Sequence, residues 1–287
     1  MTRFDWIANG VCEPLFRPSP ANGTKSALDL AAFVLLPWSN RVSDGGFDFE
    51  GKHHRLDPNI DGEPYPSHGN AFELDWHVAE VTPTTVSLVT QSSGPGPYRY
   101  AATLGYGVDR GVLTVSMTVE NRGDIALPFG LGFHPWLVRE PDTQLQAPAT
   151  SVWLEDSRHL PVGDQPAQIP PDWNFSSSHI LPSGFINNAF IGWDCKAYID
   201  WPMRDLSLAI ATAEPLSTYI VYSPSASADF FCFEPVSHAV DAFHLPGGSA
   251  PHGMVRLAPG ENLSGNIRFA ARHGRESRTQ PNPVGGS

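Results

Sequence analysis

The fold is decided by one alternating stretch, Leu113-Thr114-Val115-Ser116-Met117-Thr118-Val119. Its apolar side chains recur at every second position, which is typical of a strand with one face in a core and a semi-polar opposite face. The chain of 287 residues also contains 26 Gly and 28 Pro, which indicates many turns between short elements. No segment has a convincing period of 3.6 residues, so the sequence predicts an all-β protein.

Shorter runs of the same kind, separated by turn residues, lie on both sides of this stretch. We predict a loose pair of strands before residue 28 and a hairpin around 44–51. Residues 28–38 form a continuous apolar run that predicts a strand buried on both faces, although its periodicity also allows a helix. An irregular connection at 140–183 contains an edge strand near 152–154. Further strands are predicted at residues 72–78, 86–88, 98–106, 127–134, 197–199, 206–210, 218–222, 230–233, 254–257 and 263–269.

The composition has no break that would separate two domains. We therefore expect one large antiparallel β-sandwich over residues 1–272, followed by a disordered tail over 273–287 that is rich in Arg, Ser, Pro and Gly.

The charge balance is acidic, with a net charge of −12 and a pI of about 5.2. Phosphate backbones and anionic membranes require basic patches, so we predict no nucleic-acid and no membrane partner. The cysteines Cys12, Cys195 and Cys232 are widely spaced and form no CxxC pair, which favours reduced thiols. The first residues lack the apolar core of a secretion signal, and we expect a cytoplasmic protein.

His134 is the first candidate for chemistry, because it stands between Phe133 and Pro135 at the end of a predicted strand. A histidine near its ordinary pKa can give or take a proton at neutral pH, and the aromatic faces of Phe133 and Trp136 suit the apolar face of a sugar ring. The decapeptide alone also fits a histidine whose hydrogen bonds are satisfied within the fold.

Glu234 is the second candidate, since it follows the apolar run of residues 230–233. Desolvation there would raise its pKa towards that of a useful base, although an ordinary surface glutamate at a strand end is an equal alternative. Arg41 offers a forked donor to sugar hydroxyls, with a surface ion pair as the alternative, and His68 has the same ambiguity. Asn187 could line a pocket, whereas Trp193 is more often a core residue than a stacking platform.

A metal site is not predicted. His238, Asp241, His244 and His252 lie close in sequence, but they lack the HxH or HExxH spacing that places ligands on one ion.

Six motifs occur in one order along residues 28–269: Leu36-Pro37-Trp38-Ser39-Asn40-Arg41-Val42, His68-Gly69, Gly132-Phe133-His134-Pro135-Trp136, Asn187-Asn188-Ala189-Phe190 with Gly192-Trp193, Phe233-Glu234-Pro235, and Leu257-Ala258-Pro259-Gly260-Glu261. Together they resemble the aldose 1-epimerase (galactose mutarotase-like) family. The resemblance implies a large antiparallel β-sandwich that binds a sugar in a cleft on one sheet and needs no metal or cofactor.

The same resemblance implies roles for individual residues. Glu234 matches the general base that takes the proton from the anomeric hydroxyl, and His134 matches the general acid that protonates the ring oxygen. Arg41 and His68 match residues that hydrogen-bond the sugar, and Asn187 stands at the position of a sugar-binding residue. Further candidates for the binding site are Asn40, Trp136 and Trp193.

The chain departs from the family pattern in two places. Family members that act on galactose or glucose have an aspartate where this chain has Asn187, so the preferred sugar is left open; the Asn-Asn form is more similar to a bacterial branch. The resemblance also implies an opening strand and a Gly-Gly turn before Asp5, which this sequence lacks.

We therefore predict a cofactor-independent isomerase, a mutarotase that interconverts the α and β anomers of a free monosaccharide, acting as a monomer or weak homodimer. The alternatives are a hexose-6-phosphate 1-epimerase, which would need basic residues at the mouth of the cleft, and a non-catalytic sugar-binding module of the same fold.

Overall fold

Two large antiparallel sheets make up the protein in a computed structural model that describes residues 1–8, 10–23 and 26–274. The strands are β1 (Asp5–Ala8), β2 (Val11–Pro14), β3 (Ala32–Leu35), β4 (Gly46–Phe49), β5 (Lys52–Arg55), β6 (His77–Val81), β7 (Thr85–Ser92), β8 (Tyr100–Asp109), β9 (Val112–Asn121), β10 (Leu127–Phe129), β11 (Gly132–Val138), β12 (Gln144–Gln146), β13 (Ser151–Trp153), β14 (His179–Ile180), β15 (Ile186–Ile191), β16 (Lys196–Trp201), β17 (Leu206–Ala211), β18 (Thr218–Ser223), β19 (Phe230–Val236), β20 (Val255–Leu257) and β21 (Asn262–His273).

The nine-stranded sheet has the order β14-β12-β16-β17-β21-β9-β8-β7-β6, and the six-stranded sheet has the order β13-β15-β18-β19-β11-β3. The alternating stretch lies in β9 at the middle of the larger sheet, where Leu113, Val115, Met117 and Val119 are all buried. Three two-stranded ribbons, β1-β2, β4-β5 and β10-β20, complete the described strand pairs. The all-β antiparallel sandwich predicted from the sequence is confirmed.

The six-stranded sheet is buried on both faces. Phe133, Tyr219 and Phe233 point towards the larger sheet and belong to the main core between the two sheets. The opposite face carries a second, smaller apolar cluster that includes Phe33 and Ile220, and residues of the loops around Phe72 and 239–245 pack on it. This second face, covered by loops rather than by a sheet, is where polar side chains can meet a ligand.

Several predicted elements differ from the structure. Only Ala32–Leu35 of the predicted strand 28–38 is a strand, because Ser26 caps a single turn of 3-10 helix at Ala27–Asp29. The strand predicted at 72–78 overlaps another single turn of 3-10 helix, Ala71–Glu73, and β6 starts only at His77. The connection predicted as irregular contains β12 and β14 besides the predicted edge strand, and β15 was not predicted.

Single turns of 3-10 helix also lie at Pro171–Trp173, Pro202–Arg204 and Ala250–His252. His273, placed in the predicted tail, is the last residue of β21, and residues 275–287 of that tail lie outside the described residues. Among the described residues no helix has the length and apolar character needed to cross a membrane.

The residues considered for a metal site hold loops in place instead. His238 accepts a hydrogen bond at Nε2 from the Ser39 N–H (2.9 Å), and its Nδ1 lies 2.8 Å from the Ala239 carbonyl. Asp241 accepts from the backbone N–H and the hydroxyl of Ser43 at 2.9 and 2.7 Å, and its carboxylate lies 2.7 Å from His244 Nδ1. The loop that carries Arg41 is thereby fastened to residues 241–244.

Asp241→Asn should lower the free energy of unfolding by about 1–3 kcal/mol, since a buried carboxylate with three donors is replaced by an amide that cannot accept from all of them. Asparagine also tolerates the left-handed backbone of Asp241 (φ 51°), so the change isolates the side chain.

The hydrogen bond to Asp241 raises the pKa of His244. That contribution is complete below the unfolded pKa of 6.5 and is lost as the pH rises through the raised value.

Urea unfolding at pH 6 and pH 9 should therefore show the larger effect at pH 6. The control is Asp124→Asn, which is exposed between β9 and β10, is not among the charges that raise the pKa of His244, and should change stability little. An equal effect of Asp241→Asn at both pH values would contradict the role given to His244.

Candidate active site

His134 and Glu234 lie directly opposite each other on adjacent strands. β11 and β19 pair at Gly132–Val236 and again at Trp136–Cys232, and the histidine and the glutamate are at the midpoint of that register. Both side chains point to the loop-covered face of the sheet, like Phe33, which is paired with His134, and Ile220, which is paired with Glu234. The antiparallel register alone therefore brings together two groups that are 100 residues apart.

The two side chains are in contact and almost fully buried. His134 Nε2 is 3.3 Å from Glu234 Oε1, and the residues are 6% and 2% exposed. The remaining polar atoms, His134 Nδ1 and Glu234 Oε2, are also buried and have no hydrogen-bond partner within the described part of the chain. Buried polar atoms in folded proteins are nearly always paired, so these two are suited to a polar ligand.

Burial shifts the pKa of both groups away from their charged forms. Desolvation raises the pKa of Glu234 to about 8, with Arg41 acting in the opposite direction. Desolvation lowers the pKa of His134 to about 3, and the charge of Arg17 lowers it further. Burial therefore favours the state in which both groups are neutral at neutral pH, with the one titratable proton of the pair on the carboxyl group.

His68 presents a defined tautomer to this pair. Its Nδ1 accepts a hydrogen bond from the Asn40 N–H at 3.1 Å, so the neutral ring carries its proton on Nε2. The pKa of His68 is well below its usual value because of burial and the nearby His134 and Arg41. The rings of His68 and His134 meet edge to face at 5.4 Å.

Gly69 allows this placement. A Cβ atom there would lie 1.9 Å from the Leu36 carbonyl oxygen, and the residue has a left-handed φ of 63°. The chain can therefore pass close to Leu36 only with glycine at this position.

Arg41 reaches the site as part of an ion pair. Its Nε and Nη2 atoms contact Glu63 Oε2 at 3.0 and 2.9 Å, and Nη1 donates to Asn40 Oδ1 at 3.4 Å. The forked donor is thus mostly occupied, and Arg41 acts on Glu234 through its charge.

Asn187 is joined to a carboxylate that the sequence did not suggest. Its Nδ2 donates to Glu155 Oε2 at 3.0 Å, and the other oxygen of Glu155 is 2.8 Å from His159 Nδ1. Burial raises the pKa of Glu155, and His159, Arg41 and Asn187 oppose that shift. A carboxylate therefore stands beside the amide, supplied by the loop after β13.

The two predicted tryptophans have different positions. Trp136 stacks on His134 at 5.4 Å, is half-buried, and has a buried Nε1 without a partner among the described residues. Trp193 lies in the main core against Tyr219 and Phe233, and its Nε1 donates to the Lys196 carbonyl at 2.7 Å. The expectation that Trp193 lines the sugar site is corrected: β15 ends before it, and its ring packs between the sheets.

His134, Cys232 and Glu234 are the residues of this site that could hold a metal ion. One donor atom from each lies within 4.8 Å of the others, and all three residues are buried. An ion at this position would occupy the atoms that hold the shared proton.

Sequence reasoning missed Glu63, Glu155 and Arg17. Glu155 directly follows the predicted edge strand, but loop residues reach a site through tertiary packing, which a local pattern does not contain. Arg17 follows the buried Phe16 near the start of the chain, in a segment for which only loose strands were predicted.

An antiparallel sandwich with a buried carboxyl–imidazole pair on a loop-covered sheet face defines a protein with an acid/base cleft. The family model of the aldose 1-epimerases matches residues 5–270. The chain belongs to the aldose 1-epimerase family.

Individual relatives agree with this. The uncharacterized protein YphB of Escherichia coli K12 is 32% identical over 260 residues, which are 88% of this chain and 87% of YphB. A crystal structure from Escherichia coli K12, provisionally named an aldose 1-epimerase, has a TM-score of 0.84 at 31% identity and covers 91% of this chain and 89% of its own. The GalM/aldose epimerase homologue of C. elegans shares the fold, with a TM-score of 0.81 at 15% identity over 96% of this chain and 93% of its own.

Glu234→Gln should stabilise the protein increasingly as the pH rises. The folded pKa of Glu234 is raised from 4.5 to about 8, so its favourable contribution is complete below pH 4.5 and is lost as the pH rises through about 8. The amide has no such dependence, and the gain over wild type should grow by at most about 1.4 kcal/mol per pH unit in that window.

Chemical unfolding between pH 5 and pH 9 measures this difference. Glu80→Gln, on the exposed strand β6, is the control and should follow the wild-type curve. A stability difference between Glu234→Gln and wild type that does not change with pH would show that burial does not perturb this carboxyl group.

Proposed function

We propose that this protein is a mutarotase, which interconverts the α and β anomers of an aldose through acid/base ring opening and reclosure. The observation that supports it most is the opposed, buried pair of Glu234 and His134, in contact at 3.3 Å. Ring opening takes a proton from the anomeric hydroxyl and gives one to the ring oxygen, so it needs an acid and a base that face one hemiacetal. Family membership supports the same reaction class.

The single proton of the pair is enough for the whole cycle. The Glu234 proton first passes to His134 across their contact, while sugar hydroxyls stabilise the new carboxylate. In the roles that the family resemblance implies, Glu234 then takes the proton of the anomeric hydroxyl as C1=O forms. His134 gives its proton to the ring oxygen as the bond between C1 and the ring oxygen breaks. Rotation about C1–C2 and reclosure with reversed roles produce the other anomer and return the proton.

The surrounding residues favour the charged intermediate state. Arg41 lowers the pKa of Glu234 and so stabilises the carboxylate against desolvation. His68, whose Nδ1 is occupied by the Asn40 N–H, can offer its Nε2–H to a sugar oxygen on which charge develops. Glu155 and Asn187 offer an acceptor and an amide to ring hydroxyls.

A non-catalytic sugar-binding module is less well supported. The buried Glu234 carboxyl lowers stability at neutral pH, and binding alone does not require an acid and a base in contact.

Glu234→Gln should abolish anomer interconversion, and His134→Asn should lower its rate by at least about two decades, because each change removes one member of the proton-transfer pair. Proton NMR exchange spectroscopy on equilibrated aldoses measures the rate, and saturation transfer measures sugar binding, which should persist in Glu234→Gln. Glu80→Gln serves as the matched control. Wild-type rates in either site variant would exclude the proposed roles.

The pH dependence of kcat/KM should follow the number of protons on the pair. One proton is present between the lowered pKa of His134, about 3, and the raised pKa of Glu234, about 8. The rate above the spontaneous background should therefore be level near neutral pH and fall as the pH rises through about 8. A rate that instead increases through pH 8 would mean that the carboxylate must be free in the unliganded enzyme.

A further inference from the structure

Arg17 lies on the same sheet face as the acid/base pair, beside Trp136, which is two residues from His134 on β11. We call the position of Trp136 and Arg17 the next row of this face. The segment before β3 pairs with β11 at Phe16–Leu137, and the Arg17 N–H donates to the Trp136 carbonyl at 2.6 Å. Phe16 points into the main core, so Arg17, next in sequence, points to the opposite face. Its guanidinium carbon is 4.2 Å from the centroid of Trp136 and 4.6 Å from that of Phe230.

The Arg17 guanidinium lies over two aromatic rings, and none of the residues that the structure describes forms a hydrogen bond with it. The other partly or fully buried arginines near this end of the sheet use protein acceptors: Arg139 donates to the Ser223 hydroxyl and the Pro182 carbonyl, and Arg204 donates to Glu13 and the Pro14 carbonyl. For Arg17, the described residues provide neither an acidic partner within 4 Å nor an acceptor for its side-chain N–H groups. Its charge lies over two ring faces whose planes are tilted 54° from each other.

The same row offers a second donor without a partner. Trp136 Nε1 is buried and has no acceptor among the described residues. Two donors, one of them a cation, thus lie beside a pair that is neutral overall at neutral pH. This local excess of positive charge exists although the whole chain carries a net charge of −12.

The position of this row relates it to a particular part of a sugar. Trp136 follows His134 by two residues on β11, a step of about 7 Å along a strand. In the proposed function His134 serves the ring oxygen, and the carbon next to that oxygen carries C6. A group on C6 of a pyranose bound at the pair can therefore extend along β11 towards Trp136 and Arg17.

We propose that Arg17 binds an anionic group on C6 of the substrate, so that the enzyme acts on acidic aldoses rather than neutral ones. A carboxylate, a phosphate or a sulfonate on C6 each presents the paired oxygen acceptors that a guanidinium fork matches. The inference rests on the proposed mutarotase function for its orientation of the sugar, and it goes beyond that function by naming the substrate class.

The test compares glucose with its C6-carboxylate, 6-phosphate and 6-sulfonate counterparts in NMR exchange spectroscopy. The wild type should have a higher kcat/KM for at least one acidic aldose than for glucose, and the three acids identify which anion is preferred. Arg17→Met, which keeps an unbranched apolar stem on Trp136, should lower the ratio of acidic to neutral kcat/KM by about 10- to 100-fold, mainly through KM. Arg17→Lys should give an intermediate ratio, because the charge remains but the planar fork is lost.

Arg110→Met is the matched control, since it removes one cation at an exposed turn of the other sheet. It should leave the ratio unchanged, and melting temperatures confirm that each variant is folded. A purely structural role for Arg17 predicts equal losses on glucose and on the acids, and that result would overturn the inference, as would a wild-type preference for glucose.

The two proposals can fail separately. If no aldose is equilibrated by the wild type, the mutarotase function fails, and sugar binding measured by saturation transfer then decides the inference. At least one of the three acidic sugars should bind the wild type at least about 10-fold more tightly than it binds Arg17→Met. Equal binding of that sugar to both proteins would overturn the role of Arg17.

Discussion

The opposition of His134 and Glu234 across the β11–β19 register is the constraint on which the site depends. Side chains in a strand alternate between faces, so a slip of one residue in either strand would turn one of the two into the main core and leave the other alone. The register is fixed because Phe133 and Phe233, the residues just before them, must face the larger sheet. The packing that holds the sandwich together therefore also aligns the proposed acid and base.

Burial then determines the chemistry of the pair. A carboxyl and an imidazole in contact would form an ion pair in water, but desolvation favours the state in which the proton resides on Glu234 and both groups are neutral. The loops on this face supply what the strands do not: a neutral donor on His68, the charge of Arg41, and the carboxylate of Glu155.

The sequence predicted the sandwich because alternation, a local signal, defined strands such as β9. The expectation that His134 and Glu234 end their strands is wrong. β11 continues through Pro135 to Val138 and β19 continues to Val236, because Pro135 pairs with Ala32 and Pro235 with Tyr219 as ordinary strand residues. Trp193 was misplaced because an aromatic residue beside a glycine turn has the same local pattern in a core and in a cleft. Glu155 and Arg17 could not be predicted, because their roles arise from loops and bridges between segments distant in sequence. The net charge predicted no nucleic-acid and no membrane partner, and it gave no indication of the cation that Arg17 places over Trp136 and Phe230.

The most direct test of this account is a ¹⁵N NMR titration of the ring nitrogens of histidine-labelled protein, with His134 assigned by comparison with His134→Asn. If burial controls the pair, His134 stays neutral from pH 5 to pH 9, and its signals change only as the adjacent carboxyl loses its proton near the raised pKa of Glu234, about 8. An imidazolium signal for His134 at pH 7 in the sugar-free protein would show that the pair is already an ion pair, and would contradict the single-proton description of the site.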